Sequence, residues 1–254
     1  MPKNGSPRES GNALTTSVIR HLQHMYDLSR EETAALEGLP MQVAEFEADQ
    51  DIVREGDRPT KCFAVLEGYA MTLKVTGPGK RQIMAFHIPG DMPDLQSLHL
   101  ELLDITVTTL TPCKVGFVQH DALRQLCARH PRLGDAFWRE TLVASAVFRE
   151  WVMNVGRRDA FARLAHVFCE WMTRMRAMGL AQGYACELPI TQNELADATG
   201  ITTVHVNRTL KRLRAEGLIE LTGSKLTVLD WDRLKHVGDF DPTYLHYRRR
   251  KLAA

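Results

Sequence analysis

The chain has 254 residues, enough for two domains, and 44% of them are hydrophobic and 25% charged. This composition excludes a disordered chain. No apolar run approaches the roughly 20 residues of a transmembrane helix, so we expect a cytoplasmic protein with no membrane partner. The net charge of +1 is unevenly spread, because Lys and Arg outnumber Asp and Glu by 16 to 11 from Arg157 onward. A basic C-terminal half favours a partner rich in phosphate.

The front of the chain changes from helical to strand-like patterns. Residues 1–12 are polar and lack the apolar core of a signal peptide, which predicts a disordered lead-in. Short helical pieces follow between Leu14 and Leu39. From Val43 to Val118, short apolar runs alternate with turn signals that contain Gly and Pro. Such closely spaced strands predict a small barrel or jelly roll, so we assign residues 13–130 to a β-rich front domain.

A long helix is predicted from Pro131 to about Val155, and residues 131–156 are assigned to a dimerisation helix and hinge. Mainly apolar side chains recur there at spacings of 4, 3, 4, 3 and 4, the heptad pattern of two helices that pack in parallel. We therefore predict a homodimer whose interface contains Phe137, Thr141, Ala144, Phe148, Trp151 and Val155. The alternative is a helix that packs against its own domain.

Residues 157–240 are predicted to form a second domain that begins with a helix and contains two further helices and a strand pair. Thr191 and Glu194 have the spacing of a capping box, which starts the first of these two helices. Gly200 marks its end, where a left-handed turn is needed. Thr202 then begins the second helix, and a strand, turn and strand follow it. This order predicts a winged helix-turn-helix.

The second helix of this domain carries side chains that suit the major groove of DNA. Arg binds guanine O6 and N7 together and Asn binds adenine N6 and N7, so Arg208 and Asn207 are the predicted base readers. The full set predicted to contact double-stranded DNA is Thr191, Gln192, Thr202, Thr203, His205, Asn207, Arg208, Lys211, Arg212, Ser224 and Lys225. One alternative is a solvated amphipathic helix with ordinary charges. Another is a ligand-sensing or scaffold protein whose winged helix binds protein rather than DNA.

Both halves of the chain carry motifs of one known family. They are Glu55-Gly56-Asp57, Phe63-x-Val65-x-x-Gly68 and Pro89-Gly90-Asp91 in front, and the runs 190–196 and 206–213 behind. From about Met41 to Leu234 the chain thus resembles the Crp/Fnr family of bacterial regulators. The resemblance implies a cyclic-nucleotide-binding-type β-roll, a long dimer helix and a winged helix, hence an α+β protein. It also implies a dimeric transcription regulator that recognises a palindromic operator and contacts RNA polymerase.

The resemblance also implies roles for individual residues in the DNA-binding helix and in the effector pocket. Arg208 aligns with a base-reading arginine, and Val204 stands where many members carry a base-reading Glu. Members that bind cyclic AMP hold it with a Gly-Glu pair and an Arg-Ser pair. At those places this chain has Asp94-Leu95 and Leu103-Asp104, so an acid stands where an anion would sit. These four residues therefore form a degenerate effector pocket, and we predict that cyclic AMP does not control the protein.

Several alternatives remain open for the sensor. The chain lacks the closely spaced N-terminal cysteines of iron–sulfur members, but Cys62 or Cys186 could respond to redox conditions. A haem ligand among the histidines, or a metal or cationic ligand among the acids Asp91, Asp94, Glu101 and Asp104, is conceivable on composition alone. We expect no cofactor and no catalytic site, because no metal triad or nucleophile–base set is evident.

The C-terminal residues 241–254 form a basic tail that includes the run Arg248-Arg249-Arg250-Lys251. Two hypotheses are equally compatible with this run: added contacts to DNA phosphates, or a solvated disordered segment.

Overall fold

The computed structural model describes residues 9–248, with side chains from residue 16 onward. Its element order confirms the α+β class, with a β-rich front domain, a long helix and a winged helix-turn-helix. The helices are α1 (Glu9–Met25), α2 (Arg30–Glu37), α3 (His120–Arg129), α4 (Pro131–Arg157), α5 (Ala160–Ala177), α6 (Gln192–Thr199), α7 (Thr203–Ala215) and α8 (Trp231–Val237). The strands are β1 (Gln42–Phe46), β2 (Asp51–Val53), β3 (Lys61–Glu67), β4 (Ala70–Val75), β5 (Arg81–His87), β6 (Thr106–Thr109), β7 (Cys113–Gln119), β8 (Ala181–Gln182), β9 (Ala185–Glu187), β10 (Ile219–Thr222) and β11 (Lys225–Val228). Short 3₁₀ helices span Leu95–Leu98 and Pro242–Leu245.

Two antiparallel sheets form the front domain, with strand orders β1-β7-β3 and β2-β6-β4-β5. Strand β3 lies between two cores, because successive residues of a strand point to opposite faces. Phe63 and Val65 join the core between the sheets. Cys62 and Ala64 point the other way, into a second core shared with the helices around the roll. Both faces of β3 are therefore buried, which explains its continuous apolar sequence.

Helix α1 covers the helical side of the roll and begins earlier than predicted. It starts at Glu9, so residues 9–12 are helical rather than part of a disordered lead-in, whereas residues 1–8 lie outside the described range. Val18 and Leu22 are buried in the core that β3 shares with α4. Burial of this apolar face stabilises the helix. Its first residues are so polar that the sequence there does not show the pattern of an amphipathic helix.

Helix α4 confirms the predicted long helix, but two of the six predicted interface residues are internal. Phe137 and Trp151 are each 5% exposed within a single chain. The Trp151 ring packs edge-on against Phe86, and its Nε1–H donates to the Glu170 carboxylate at 3.0 Å. Phe137 and Trp151 are therefore corrected from interface to core residues.

Large apolar side chains are exposed one position further along α4 than the predicted set. Trp138 is 63% exposed, Leu142 51% and Val152 73%. These residues follow the same alternation of three and four as the predicted set, shifted by one position along the helix. Of the other four predicted interface residues, Ala144 is exposed and Thr141, Phe148 and Val155 are half-buried, so these four remain predicted interface residues.

The second domain packs directly on the first through a buried ion pair. Arg174 of α5 donates from Nη1 to the Phe86 carbonyl at 2.7 Å and from Nη2 to the Asp91 carboxylate. Burial alone would raise the pKa of Asp91, but Arg174 and the neighbouring histidines lower it well below its ordinary value. On the surface, Arg81 of β5 pairs with Asp197 of α6 at 2.8 Å. These contacts fix the orientation of the helix-turn-helix on the roll.

Gly90 allows this close packing at the end of β5. It has φ +106°, and a Cβ there would lie 2.6 Å from the Ser17 carbonyl oxygen and 3.0 Å from Cε of Met178. A side chain would therefore push α1 and the end of α5 away from the roll.

Residues 241–248, the described part of the predicted basic tail, pack against the rest of the chain. Leu245 is buried, and the Tyr244 hydroxyl donates to Glu170 of α5 at 2.7 Å. The Arg248 amide donates to the His24 carbonyl at 2.7 Å, so the segment runs from the second domain back to α1. The remainder of the basic run, residues 249–251, lies outside the described range.

Asp94 lies beneath the roll, away from any open pocket. It is 0% exposed, and its Oδ1 accepts the Phe63 amide at 2.9 Å. Its Oδ2 has no hydrogen-bond partner among the described residues. Burial raises the pKa of this carboxyl to about 7, since little compensates for the loss of water. This position corrects the prediction that Asp94 lines the effector pocket.

The substitution Asp94→Asn should stabilise the protein relative to wild type increasingly as the pH rises. The pKa of Asp94 is above its ordinary 3.8 in the folded state, so wild type loses stability between about pH 4 and pH 7 and changes little beyond. The difference should reach about 2–4 kcal/mol at pH 8. Urea unfolding at pH 4, 5, 6 and 8 measures it, with the exposed Asp121→Asn as control. Parallel pH curves for both variants and wild type would show that Asp94 is ionised in the fold.

Candidate nucleic-acid interface

Two local capping motifs form the α6–turn–α7 unit, as the sequence predicts. The Thr191 amide donates to Glu194 at 2.6 Å, and the Glu194 amide donates back to the Thr191 hydroxyl at 3.3 Å. Gly200 ends α6 with φ 68° and ψ 29°, a conformation that costs a side-chain-bearing residue free energy. The Thr202 hydroxyl then accepts the His205 amide at 3.3 Å and begins α7. Because their hydroxyls cap helices, Thr191 and Thr202 position the motif.

The packing of α7 determines which of its faces is presented to solvent. Val206, Leu210 and Leu213 are 0–2% exposed in the core of the second domain. The opposite face carries Val204, which is 81% exposed, with Arg208 and Lys211 at the following turns. Residues spaced four and three apart lie above one another on a helix. The result is an outward stripe of one apolar and two cationic side chains, which we call the 204–208–211 stripe.

The two cations of the 204–208–211 stripe are not used within the chain. Arg208 and Lys211 form no hydrogen bond or ion pair with any described residue. An exposed guanidinium without an internal partner retains all five of its donors for an external acceptor. The stripe is therefore chemically able to bind a guanine edge and a phosphate.

Other predicted contacts on α7 are engaged internally. Asn207 donates to Gln192 at 3.1 Å, and Thr203 donates to Asn193 at 3.0 Å, so both pairs link α7 to α6. These four side chains are exposed or half-buried and lie beside the stripe. His205, also predicted here, is half-buried.

Arg212 differs from Arg208 although both were predicted to contact DNA. Its Nε donates to Glu216 at 2.9 Å, and its guanidinium lies 3.9 Å from the centre of the Phe161 ring. These two contacts direct the side chain along α7 toward α5, away from the stripe. The Arg212 guanidinium thus already has two internal partners, whereas that of Arg208 has none among the described residues.

The wing is a β-hairpin at the edge of the sheet β10-β11-β9-β8. Thr222 pairs with Lys225, so Ser224 and Lys225 occupy the exposed tip. The Ser224 carbonyl accepts the Leu188 amide at 2.6 Å, which ties the tip to the strand that precedes α6. The structure thus places both predicted wing residues where an adjacent DNA backbone could reach them.

The predicted effector-pocket residues do not form one group. Leu95 and Asp104 line a cavity between the roll and α4. Leu103 belongs to the core between the sheets, as Asp94 belongs to the other side of β3. The structure therefore separates the four residues into two cavity residues and two buried structural ones.

The metal and redox alternatives gain no support from the described residues. Residues 9–248 contain no group of three His, Cys, Asp or Glu side chains arranged to hold a metal. Glu101 pairs with Arg58 at 3.2 Å and Asp104 lies 3.9 Å from Lys74, both away from Asp91. Burial raises the pKa of the Cys62 thiol to about 12 and that of Cys186 to about 11. Both thiols are thus protonated and shielded at neutral pH, which disfavours oxidation.

Family models match both domains. A cyclic nucleotide-binding domain matches residues 43–130, and a Crp-like helix-turn-helix domain matches residues 162–237. The transcriptional activator FnrL of Cereibacter sphaeroides is 27% identical over 227 residues, covering 87% of this chain and 90% of FnrL. The nitrogen fixation regulation protein FixK of Bradyrhizobium diazoefficiens is 28% identical, covering 75% and 79%. The chain belongs to the Crp/Fnr family of transcription regulators.

Solved structures agree with this Crp/Fnr assignment at the level of fold. FixK2 from Bradyrhizobium japonicum superposes with a TM-score of 0.71 at 23% identity, covering 78% of this chain and 98% of FixK2. The regulator CLP of Xanthomonas campestris, described as responsive to c-di-GMP, gives 0.61 at 16% identity, covering 85% and 99%. The helix-turn-helix family model and the relatives above, rather than these folds, make the chain a DNA-binding transcription regulator of the Crp/Fnr type. No helix within residues 9–248 combines the length and apolarity needed to cross a bilayer.

Sequence reasoning missed the contacts that hold this Crp/Fnr regulator's helix-turn-helix on its sensor. The Arg174–Asp91 pair joins residues 83 apart, and Gln82 reaches the Ala198 carbonyl at 3.3 Å. No local motif marks residues so far apart in sequence. The only available signal is weak: Arg174 comes three residues after Trp171, beside the apolar face of α5.

We expect Arg208→Ala to weaken specific DNA binding by about 1–3 kcal/mol, because it removes an uncommitted bidentate donor from the exposed stripe. Arg212→Ala is the matched control, since it removes the same charge four residues later from a side chain that already has internal partners. Fluorescence anisotropy with an operator duplex measures both, and thermal unfolding checks the fold. A larger loss for Arg212→Ala than for Arg208→Ala would contradict this placement.

Proposed function

We propose that this regulator works as a homodimer that binds a palindromic operator and, like the relatives named as activators, promotes transcription through contact with RNA polymerase in the cytoplasm. The observation that carries the proposal is the 204–208–211 stripe, which is exposed on a capped helix whose opposite face is fully packed. A two-fold pair of such helices, one DNA turn of about 34 Å apart, matches two half-sites of inverted sequence.

The stripe favours a particular chemistry of base reading. Arg208 is suited to guanine O6 and N7, and Lys211, one turn further on, is suited to a phosphate. Val204 has no polar atom to offer a base, yet it is 81% exposed on the same stripe. An apolar side chain in the major groove gains most beside the thymine methyl group. We therefore infer a thymine next to the guanine in each half-site, where a Glu-bearing relative would select another base.

The sensor domain does not favour cyclic AMP as the effector. The two pocket positions that remain beside the cavity are Leu95 and Asp104, an apolar residue and an acid. The nearby cation Lys74 lies 3.4 Å from Glu55 and 3.9 Å from Asp104, so it is already neutralised. A buried phosphodiester would lack a counter-charge there, and an unpaired buried charge is strongly unfavourable.

The proposed dimer uses the exposed register of α4. Trp138, Leu142 and Val152 are exposed apolar side chains at heptad-related positions of a 27-residue helix, with Ser145 and Arg149 at the positions between Leu142 and Val152. Large apolar side chains left in water along a heptad repeat are what a parallel helix pair buries. A two-fold axis along this face would carry both helix-turn-helix units on the same side of the dimer.

Selection from random duplex DNA by the wild-type protein, without added ligand, should enrich an inverted repeat with thymine and guanine in each half-site.

The variant Val204→Glu should shift the enriched base at the thymine position, because a carboxylate accepts from cytosine N4 rather than packing on a methyl group. Enrichment of an asymmetric sequence would contradict the two-fold proposal. An unchanged base in the variant would contradict the role of Val204. Addition of cyclic AMP should leave the selection unaltered.

Leu142→Asp should convert the dimer to a monomer and weaken operator binding at least tenfold, because it places a charge in the middle of the proposed interface. Leu102→Asp is a matched control: Leu102 is also 51% exposed but lies in the sensor domain, outside α4. Sedimentation equilibrium gives the oligomeric state of each variant. A Leu142→Asp protein that remains dimeric would show that the partner packs elsewhere.

A further inference from the structure

The chain continues past α8 into a segment that returns to the front domain, and we call residues 239–248 the C-terminal strap. The strap begins beyond residue 237, where the match to the helix-turn-helix model ends. Its 3₁₀ turn, Pro242–Leu245, packs against α4, and its last residue reaches α1. The strap therefore joins the DNA-binding domain to the sensor by a second route, beside the short connection between α4 and α5 (residues 158–159).

At its start, the strap is bonded to this connection. Nη2 of Arg158 donates to the Asp239 carbonyl at 3.0 Å and to the Asp239 carboxylate at 3.1 Å. The same nitrogen lies 2.7 Å from the carboxylate of Glu150 on α4. Asp239 has φ 45°, a left-handed conformation that a residue with a side chain keeps only where surrounding contacts hold it. The bonds from Arg158 supply such contacts and fix the direction in which the strap leaves α8.

The middle of the strap is held by aromatic and apolar packing. The Tyr244 ring stacks on His166 of α5, with ring centres 5.9 Å apart, and its hydroxyl donates to Glu170 at 2.7 Å. Leu245 is 2% exposed and belongs to the same core as Trp151 of α4. Burial of these side chains offsets the conformational entropy that the strap loses when its backbone is fixed.

The end of the strap is anchored on α1 of the sensor domain. His246 turns the chain with φ 51°. The Tyr247 ring then lies 5.9 Å from the His24 ring, centre to centre, and the Arg248 amide donates to the His24 carbonyl at 2.7 Å. The Tyr247 hydroxyl is buried beside Arg174. The strap thus ends next to the buried ion pair that joins the two domains.

The strap leaves the helices of the helix-turn-helix uncovered. Within the described residues, its hydrogen bonds to the rest of the chain go to α8, α5, the α4–α5 connection and α1, and none goes to α6 or α7. Val204 of the 204–208–211 stripe stays 81% exposed. A segment that is fixed to two domains restricts their relative rotation without covering the face that binds DNA.

We propose that the C-terminal strap is a positioning element for DNA binding, which locks the DNA-binding domain against α1 and so holds α7 in one orientation without an effector. A domain held only by the connection and the Asp91–Arg174 pair would occupy the binding orientation for less of the time, and its apparent affinity would fall in proportion. The inference rests on the proposed function for this consequence alone, because the lock itself is a property of the protein without DNA.

Full-length Tyr247→Ala, which removes the anchor on α1, tests the lock. Tyr26→Ala is the matched control, because Tyr26 is also half-buried and lies just after α1, outside the strap. Trypsin digestion without DNA reports access to the connection, which has cleavage sites after Arg157 and Arg158. We expect Tyr247→Ala to be cut there about tenfold faster than the control, with cleavage after Arg124 of α3 unchanged. Unchanged cleavage at the connection would overturn the lock.

Operator affinity, measured by fluorescence anisotropy, tests the consequence of the lock. If release of the strap leaves about a tenth of the molecules in the binding orientation, Tyr247→Ala should bind the operator duplex about tenfold more weakly than Tyr26→Ala. Equal binding by the two variants would overturn the positioning role. Tighter binding by Tyr247→Ala would also overturn it, because the strap would then be inhibitory.

A second variant, Tyr244→Phe, decides the question if thermal unfolding shows that Tyr247→Ala does not fold. It keeps the ring on His166 and removes only the hydroxyl bond to Glu170. We expect it to fold and to show the same two changes to a smaller extent, about threefold. No change in cleavage or in binding would overturn the proposal. Wild-type protein that is protected at the connection but binds no DNA would count against the proposed function alone.

Discussion

The arrangement of the two domains depends on the buried ion pair between Asp91 and Arg174. Removing one partner of such a pair typically destabilises a protein by about 3–5 kcal/mol, because the other charge is left in the low-dielectric interior. Here each partner belongs to a different domain and the pair is surrounded by His21, His87 and Glu140. The pair therefore does more for orientation than for stability: its hydrogen bonds are satisfied in one relative placement of the domains.

Helix α4 contacts three environments: the protein core, the cavity and solvent. Its sequence therefore carries apolar residues on more than one face. One face packs into the core through Phe137, a second lines the cavity through Val147 and Trp151, and a third exposes Trp138 and Leu142. A helix with apolar residues on so many faces has more than one plausible heptad register. The spacing alone cannot separate them, because adjacent registers satisfy the same three-and-four alternation. Which residues of α4 are buried is decided by how the rest of the chain packs against the helix.

The parts of the site that the sequence predicts are those determined by neighbours within a few residues. Thr191 with Glu194, and Gly200 after its helix, are local motifs whose geometry follows from capping and from a positive φ. The outward face of α7 follows from helical periodicity. The Asp91–Arg174 pair instead joins residues 83 apart, and the cavity combines several distant segments. A single sequence does not show which residues so far apart will meet. The contact of Arg212 with Phe161 is also not predictable from neighbouring residues, because Phe161 lies on a different helix, α5.

Three arginines show why residue type alone does not assign a role. Arg174 is buried and fully paired, so its donors are committed to the carbonyl and carboxylate that join the domains. Arg212 is exposed but held by Glu216 and an aromatic ring. Arg208 is exposed and bonded to no described residue. An arginine side chain is always charged in a protein, so charge does not distinguish the three. They differ in how much free energy each guanidinium already gains from hydrogen bonds and ion pairs within the chain. Arg208, which has gained none, can exchange water for DNA without giving up an internal bond.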